Sequence, residues 1–183
     1  MKMLVRRTMG SAKLPFYLDD LKLHLRVTDD VEDLAIQTIG QTAAAEIEQF
    51  AQIALLTQTI QVMIFDPLPD SGLRLPIGPV VDDAVPTVDI DGTDFNAFDF
   101  VGGNRPYIRW LGEYHNLSPS RMTIDYQAGF GDAAADIPRD LAQALMDQAA
   151  LHYDGRSPLH KQKWMTESPH MVRISARYRG VQI

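Results

Sequence analysis

The spacing of apolar residues changes twice along this chain, and that limits the fold more than any other feature. Val31, Ala35, Ile39, Ala43 and Ile47 recur every four residues, joined by Ile36 and Phe50. This predicts one apolar stripe on a helix over 30–52, roughly 33 Å long at the usual helical rise. In TQTIQVMIF, residues 57–65, the pattern alternates and β-branched residues dominate, which predicts a strand. A helical period returns over 138–154. Leu141, Leu145, Ala149 and His152 form one row, and Ala142, Met146, Ala150 and Tyr153 the adjacent one. Two helices on either side of a β block most simply pack on each other, with the block inserted between them. The expected class is α+β: a helical body carrying a small antiparallel β block at about 56–128.

Local signals fill in this outline. LDDLKLHL, 18–25, predicts a short amphipathic helix with acids in its first turn. Asp29 and Glu32 have the spacing of a capping box for the long helix. Alanines 43, 44 and 45 leave room for a neighbouring helix. In LRLPIGPVV, 73–81, Pro76 and Pro79 put the segment at an edge or outside a ladder. VPTVDI, 85–90, runs into Asp91-Gly92, a favoured hairpin turn. YIRWL, 107–111, and RMTIDYQA, 121–128, predict further strands, making about five short strands in the block. Pro138 suits the first turn of the last helix, Gly155 its stop, and a brief helical turn is expected over 169–177.

Charge is distributed unevenly. The chain is −7 overall, yet residues 1–13 hold four bases and no acid, and residues 154–183 hold six bases against Asp154 and Glu167. The remainder holds 22 of the 24 acids and 7 of the 17 bases. The expected organisation is a basic arm at 1–13, one domain at 14–156 and a basic tail at 157–183. The ends are suited to acidic partner surfaces, and the acidic body argues against a grip on nucleic acid. The 45% hydrophobic content predicts a globular fold. No apolar run approaches the ~18–20 residues that span a bilayer, and the basic N-terminus is not followed by a signal-peptide core. With no cysteine, disulfides and thiolate metal sites are excluded.

Catalytic motifs are missing. YQAGFGDAAADIPRDL, 126–141, places Gly129 and Gly131 before a helix, but Asp132 follows where a phosphate loop needs Lys-Ser/Thr. A dinucleotide fingerprint needs a third glycine. The pair is therefore expected to be a strand-to-helix joint. None of the five histidines has the i, i+4 partner of a helical zinc site, and His152 is expected to be packed and hydrogen-bonded. Asp89, Asp91 and Asp94 suggest either a solvated hairpin or a calcium loop, without the latter's glycine or distal Glu. No Gly-x-Ser-x-Gly elbow occurs. No catalytic residue, cofactor or metal is expected, and no enzyme. The tail places Trp164, Met165, Met171, Ile174, Tyr178 and Ile183 among bases, which fits either single-stranded nucleic acid or a protein groove on which the tail becomes ordered.

Four blocks in order carry a resemblance: LDDLKLHLRVTDDVED at 18–33, FAQIALLTQTIQ at 50–61, LRLPIGPV at 73–80, and YQAGFGDAAADIPRDLAQALMDQAALHYDGR at 126–156. SPHMVRISARYRGVQI at 168–183 adds a proline-started, arginine-ended terminus. Together they resemble the head–tail connector, or adaptor, proteins of long-tailed bacteriophages and gene transfer agents. The resemblance implies a non-enzymatic virion protein at the head–tail interface, assembled in the host cytoplasm. It implies a ring of copies, commonly twelve, joining the portal protein to a stopper or tail-completion protein, with DNA passing through without specific binding and no membrane involved. It places portal contact on Trp164, Arg173, Arg177, Tyr178 and Arg179, and the body and ring neighbours on the helices at 30–52 and 138–154. The alternative is a protein- or carbohydrate-binding module on the β block, with Tyr107, Trp110 and Tyr114 lining its face.

Overall fold

The computed structural model describes residues 1–9, 13–81, 83–156 and 167–179. The chain divides into two units, each built from two separate stretches of sequence: 1–12 with 57–130, and 13–56 with 131–183. The first unit holds all the strands and the second holds the four α-helices, so the fold class is α+β as expected.

In the strand unit, β1 (Lys2–Met9), β2 (Gln58–Phe65), β4 (Thr87–Ile90), β5 (Thr93–Asp94) and β8 (Arg121–Ala128) form one antiparallel sheet in the order β1-β2-β8-β4-β5. A second sheet has the order β3-β7-β6, from β3 (Gly72–Arg74), β6 (Phe98–Val101) and β7 (Tyr107–Trp110). The alternation that predicted β2 and β8 also sets their register. Ile60 lies opposite Tyr126, Val62 opposite Ile124 and Ile64 opposite Met122, and all six are buried. A one-residue slip would turn this whole row outward, so burial pins the pairing. Asp91 and Gly92 take positive φ and close the β4–β5 hairpin, the geometry that a two-residue turn demands.

One expectation is corrected here. Residues 1–13 are not simply a basic arm: Lys2–Met9 pair with β2 along all eight residues. Lys2, Arg6 and Arg7 mask the alternation, because an edge strand needs little burial on either face. The proline segment after β3 stays outside the ladders, as expected, and it packs inward. Leu75, Ile77 and Val80 are buried. The Tyr126 hydroxyl donates to the Ile77 carbonyl (3.0 Å) and accepts from the Ile77 amide (3.2 Å), which substitutes for the missing strand partners. Burial pushes the Tyr126 hydroxyl pKa well above the usual tyrosine value.

The helical unit comprises α1 (Leu18–Leu25), α2 (Asp33–Ala51), α3 (Arg139–Gly155) and α4 (Pro169–Tyr178). α2 and α3 pack on each other, and α1 and α4 pack on both. Full burial of Leu21 contributes roughly 1.5–3 kcal/mol. The stripe on α2 is rotated from the expected one: Ile36, Gly40, Ala43, Ala44, Ile47 and Ala51 are buried, whereas Val31 is 91% exposed and Ala35 is exposed. Gly40 explains the shift. Hydropathy does not mark it, yet a Cβ there would collide with the Phe16 ring and reach Leu21. The expected capping box does not form either. Asp29 accepts from the Val31 amide, Glu32 becomes the cap residue without a side-chain cap bond, and the buried Lys22 ammonium reaches Asp30 (2.5 Å) and Asp33 (2.7 Å). On α3 the second buried row is Ala144 and Gln148, not Ala142, Met146, Ala150 and Tyr153.

Gly129 and Gly131 act as a joint. Both take positive φ. The Gly129 amide donates to the Pro79 carbonyl (2.9 Å), and a Cβ on Gly131 would run into the Asp136 side chain. At Gly131 an L side chain fits neither the φ nor the space, and at Gly129 the positive φ favours glycine.

Candidate functional site

The residues expected to make contacts in the tail fall on and around α4. Its start is fixed by sequence: Ser168 is the cap, its hydroxyl oxygen accepting from the Met171 amide (3.0 Å), and Pro169 follows at the first position, where no N–H is needed. Met171, Ile174 and Ser175 are buried, at spacings of three and four. α4 is therefore a full ten-residue helix already ordered on the chain's own α2 and α3, and it is longer than the brief turn expected.

Polar contacts hold it in place. Gln148 of α3, fully buried, accepts from the Ser168 amide (2.7 Å) and donates to Glu46 of α2 (2.7 Å). His152 Nε2 lies 2.8 Å from the same Glu46 oxygen, so it is the hydrogen-bonded histidine expected, at the margin of the core rather than within it. Asp147 of α3 collects His24 of α1 (3.3 Å), His170 of α4 and the amide of Gln143 (2.9 Å). Nearby, the Glu32 carboxyl is held below its usual pKa by hydrogen bonds from Tyr153 (2.6 Å) and Arg156 (3.2 Å). Sequence reasoning missed Gln148, His24, Asp147 and His170. None belongs to a motif, and the only available signal was a glutamine within an apolar row.

The outward face of α4 is basic. Arg173 and Arg177 are one turn apart and both exposed. Tyr178 points the other way: it is half-buried and donates to Asp140 Oδ1 (2.9 Å). Burial and this bond push its pKa up to about 12. The Arg179 guanidinium lies 5.5 Å above the centre of the Phe50 ring. Of the expected contact residues, the fold thus pairs Arg173 with Arg177 on the surface and directs Tyr178 and Arg179 toward its own helices. Trp164 lies outside the described residues. Among the described residues, no group of three or more His, Asp or Glu is placed to hold a metal ion, and no helix is long and apolar enough to cross a membrane.

The aromatic face of the alternative binding module is not available. Trp110 (5% exposed) and Tyr114 (3% exposed) stack at 4.7 Å inside the strand unit, with Phe95 and Phe98 edge-on to Trp110. Burial raises the Tyr114 pKa. Tyr107 alone of the three is partly open. The aspartates of the hairpin are structural. Asp89 accepts from the Gly92 amide (3.0 Å), and Asp91 accepts from the Ser120 hydroxyl (2.6 Å) and the amides of Ser120 and Arg121.

No family model matches the sequence, and no curated protein matches it. Solved structures do. A chain in the neck of an empty gene transfer agent particle, computed with C6 symmetry, superposes with a TM-score of 0.78 at 24% identity. A chain in the virion of a native gene transfer agent particle gives 0.76 at 26% identity, and one in the neck of a native particle, computed with C12 symmetry, gives 0.72 at 24%. Each comparison covers 98% of this chain and 97% of the other. Over nearly its whole length, the chain therefore has the fold of a chain found in gene transfer agent necks and virions.

Proposed function

We propose that this protein is a structural component of a virion or gene transfer agent particle, a connector that forms a ring, of twelve copies, between the portal and the stopper or tail. One observation carries the reading: both units are matched together, end to end, by chains from particle necks, including one computed with C12 symmetry. A shared accessory module would match only in part. In this reading the basic ridge of Arg173 and Arg177 is offered to the portal, where cations aid docking on an acidic surface. The excess of acid in the body leaves passing DNA unbound, since each neutralised phosphate would add sequence-independent affinity. The protein works by fit and docking rather than by turnover.

Electron microscopy of the full chain mixed with its portal tests this. The expected result is a ring of this chain seated on the portal. A chain that remains monomeric and unattached, with portal present in excess, would refute the reading.

A further inference from the structure

We infer that neighbouring copies meet through opposite edges of the five-stranded sheet, the basic β1 edge of one copy lying against the acidic β4–β5 edge of the next. This rests on the ring reading above and names the contact within the strand unit.

The sheet order leaves β1 and β5 as its two outer strands. β1 is bonded to β2 along eight residues and carries no proline to interrupt a new ladder on its other side. Such an edge is a template for pairing unless something blunts it. Leu4 and Val5 lie on opposite faces of the strand and are 43% and 44% exposed, so neither face of this edge is fully covered. By alternation Lys2, Leu4 and Arg6 share a face. That face reads cation, apolar, cation, and Lys2 and Arg6 make no salt bridge within the described residues.

The opposite edge complements it. Beside β5 lies an open groove whose lining combines Ile90, Phe95 and Leu117 with Asp91, Asp94 and Glu113. Asp91 stays anionic because hydrogen bonds from Ser120 and Arg121 favour its carboxylate. Asp94 and Glu113 are exposed.

The charges also select the mode of contact. Two β1 edges would set arginine and lysine against their own kind, which is how natural edges repel self-pairing. Two β5 edges would oppose carboxylates. Only β1 against β5 joins unlike charges around apolar side chains. A contact between two different patches of the same chain is head-to-tail, and head-to-tail contacts close into rings when the rotation closes.

Because the chain has no cysteine, disulfide trapping gives a clean test. Particles are assembled with the full chain carrying Arg6→Cys and Asp94→Cys together, or either one alone, and are oxidised. The double variant should give a covalent ladder of multimers, and each single variant none. Dimers from Arg6→Cys alone would mean a symmetric β1 contact and overturn the inference. A second pair of variants covers faulty cysteine geometry: Arg6→Glu should lose the ring, and Asp94→Arg in the same chain should restore it. If electron microscopy shows an intact ring with neither a ladder nor a charge effect, this inference fails and the connector reading stands. If the unmodified chain is absent from particles, both fail.

Discussion

The buried side chain of Gln148 bridges Ser168 and Glu46, accepting from the first and donating to the second at 2.7 Å each. One glutamine thereby ties α2 and α3 to the start of α4. Removing it leaves the Ser168 amide without its acceptor, at a typical cost of about 1–3 kcal/mol for a buried group. Gln148→Leu should therefore lower the unfolding midpoint and speed amide exchange within 169–178 more than elsewhere. Hydrogen exchange by mass spectrometry, with a denaturation curve, measures both. Uniform exchange across all helices would mean that Gln148 does not hold α4 specifically.

Tyr178 links stability to alkaline pH. Its pKa is raised to about 12 from an ordinary value near 10. The native state therefore favours the protonated hydroxyl. Its contribution is fully present below about pH 10 and is lost as pH rises toward 12. Tyr178→Phe should melt lower than the parent at pH 8, and the gap should close as pH rises through this window. Thermal melts across pH 8–12 provide the readout, and a gap that widens instead would contradict the assignment.

Gly40 should reject alanine although alanine is the better helix former. The gain in propensity is about 1 kcal/mol, while forcing a methyl into a filled core typically costs about 1–3 kcal/mol. The Cβ would meet the buried Phe16 ring, so Gly40→Ala should be destabilising overall. Phe16→Leu should relieve part of that loss. Urea denaturation of the two single variants and the double variant checks the coupling.

Arg173 and Arg177 should separate stability from docking. Both are exposed, and such surface changes usually stay within about 0.5 kcal/mol. Arg173→Glu with Arg177→Glu should therefore keep the melting temperature and lose co-sedimentation with the portal. Retained binding at physiological salt would remove these two residues from the proposed contact.

Much of the architecture was legible because period and burial agree. β2 and β8 are sharply alternating segments that became central strands, and Asp91-Gly92 became the hairpin turn. Gly129 and Gly131 became the joint their spacing suggested. Legibility failed where the deciding contact is not apolar in sequence. Gly40 shifts the α2 stripe by steric access, and Gln148 completes the α3 core through hydrogen bonds. β1 escaped notice because its partner strand starts 49 residues after its own last residue lies in place, at Gln58 against Met9. In the candidate site, the arginines of α4 were visible as charges. Which of them face outward depended on Met171 and Ile174 finding a surface to cover, and that surface comes from distant sequence.

The two units are interleaved along the polypeptide, each made of one early and one late stretch. During synthesis, residues 2–9 emerge well before the strand they pair with, and Phe16 and Leu21 before α3 exists. Neither half can close until most of the ribosome's work is done. No single proteolytic cut can liberate one half intact, so a dissection by truncation would read as misfolding.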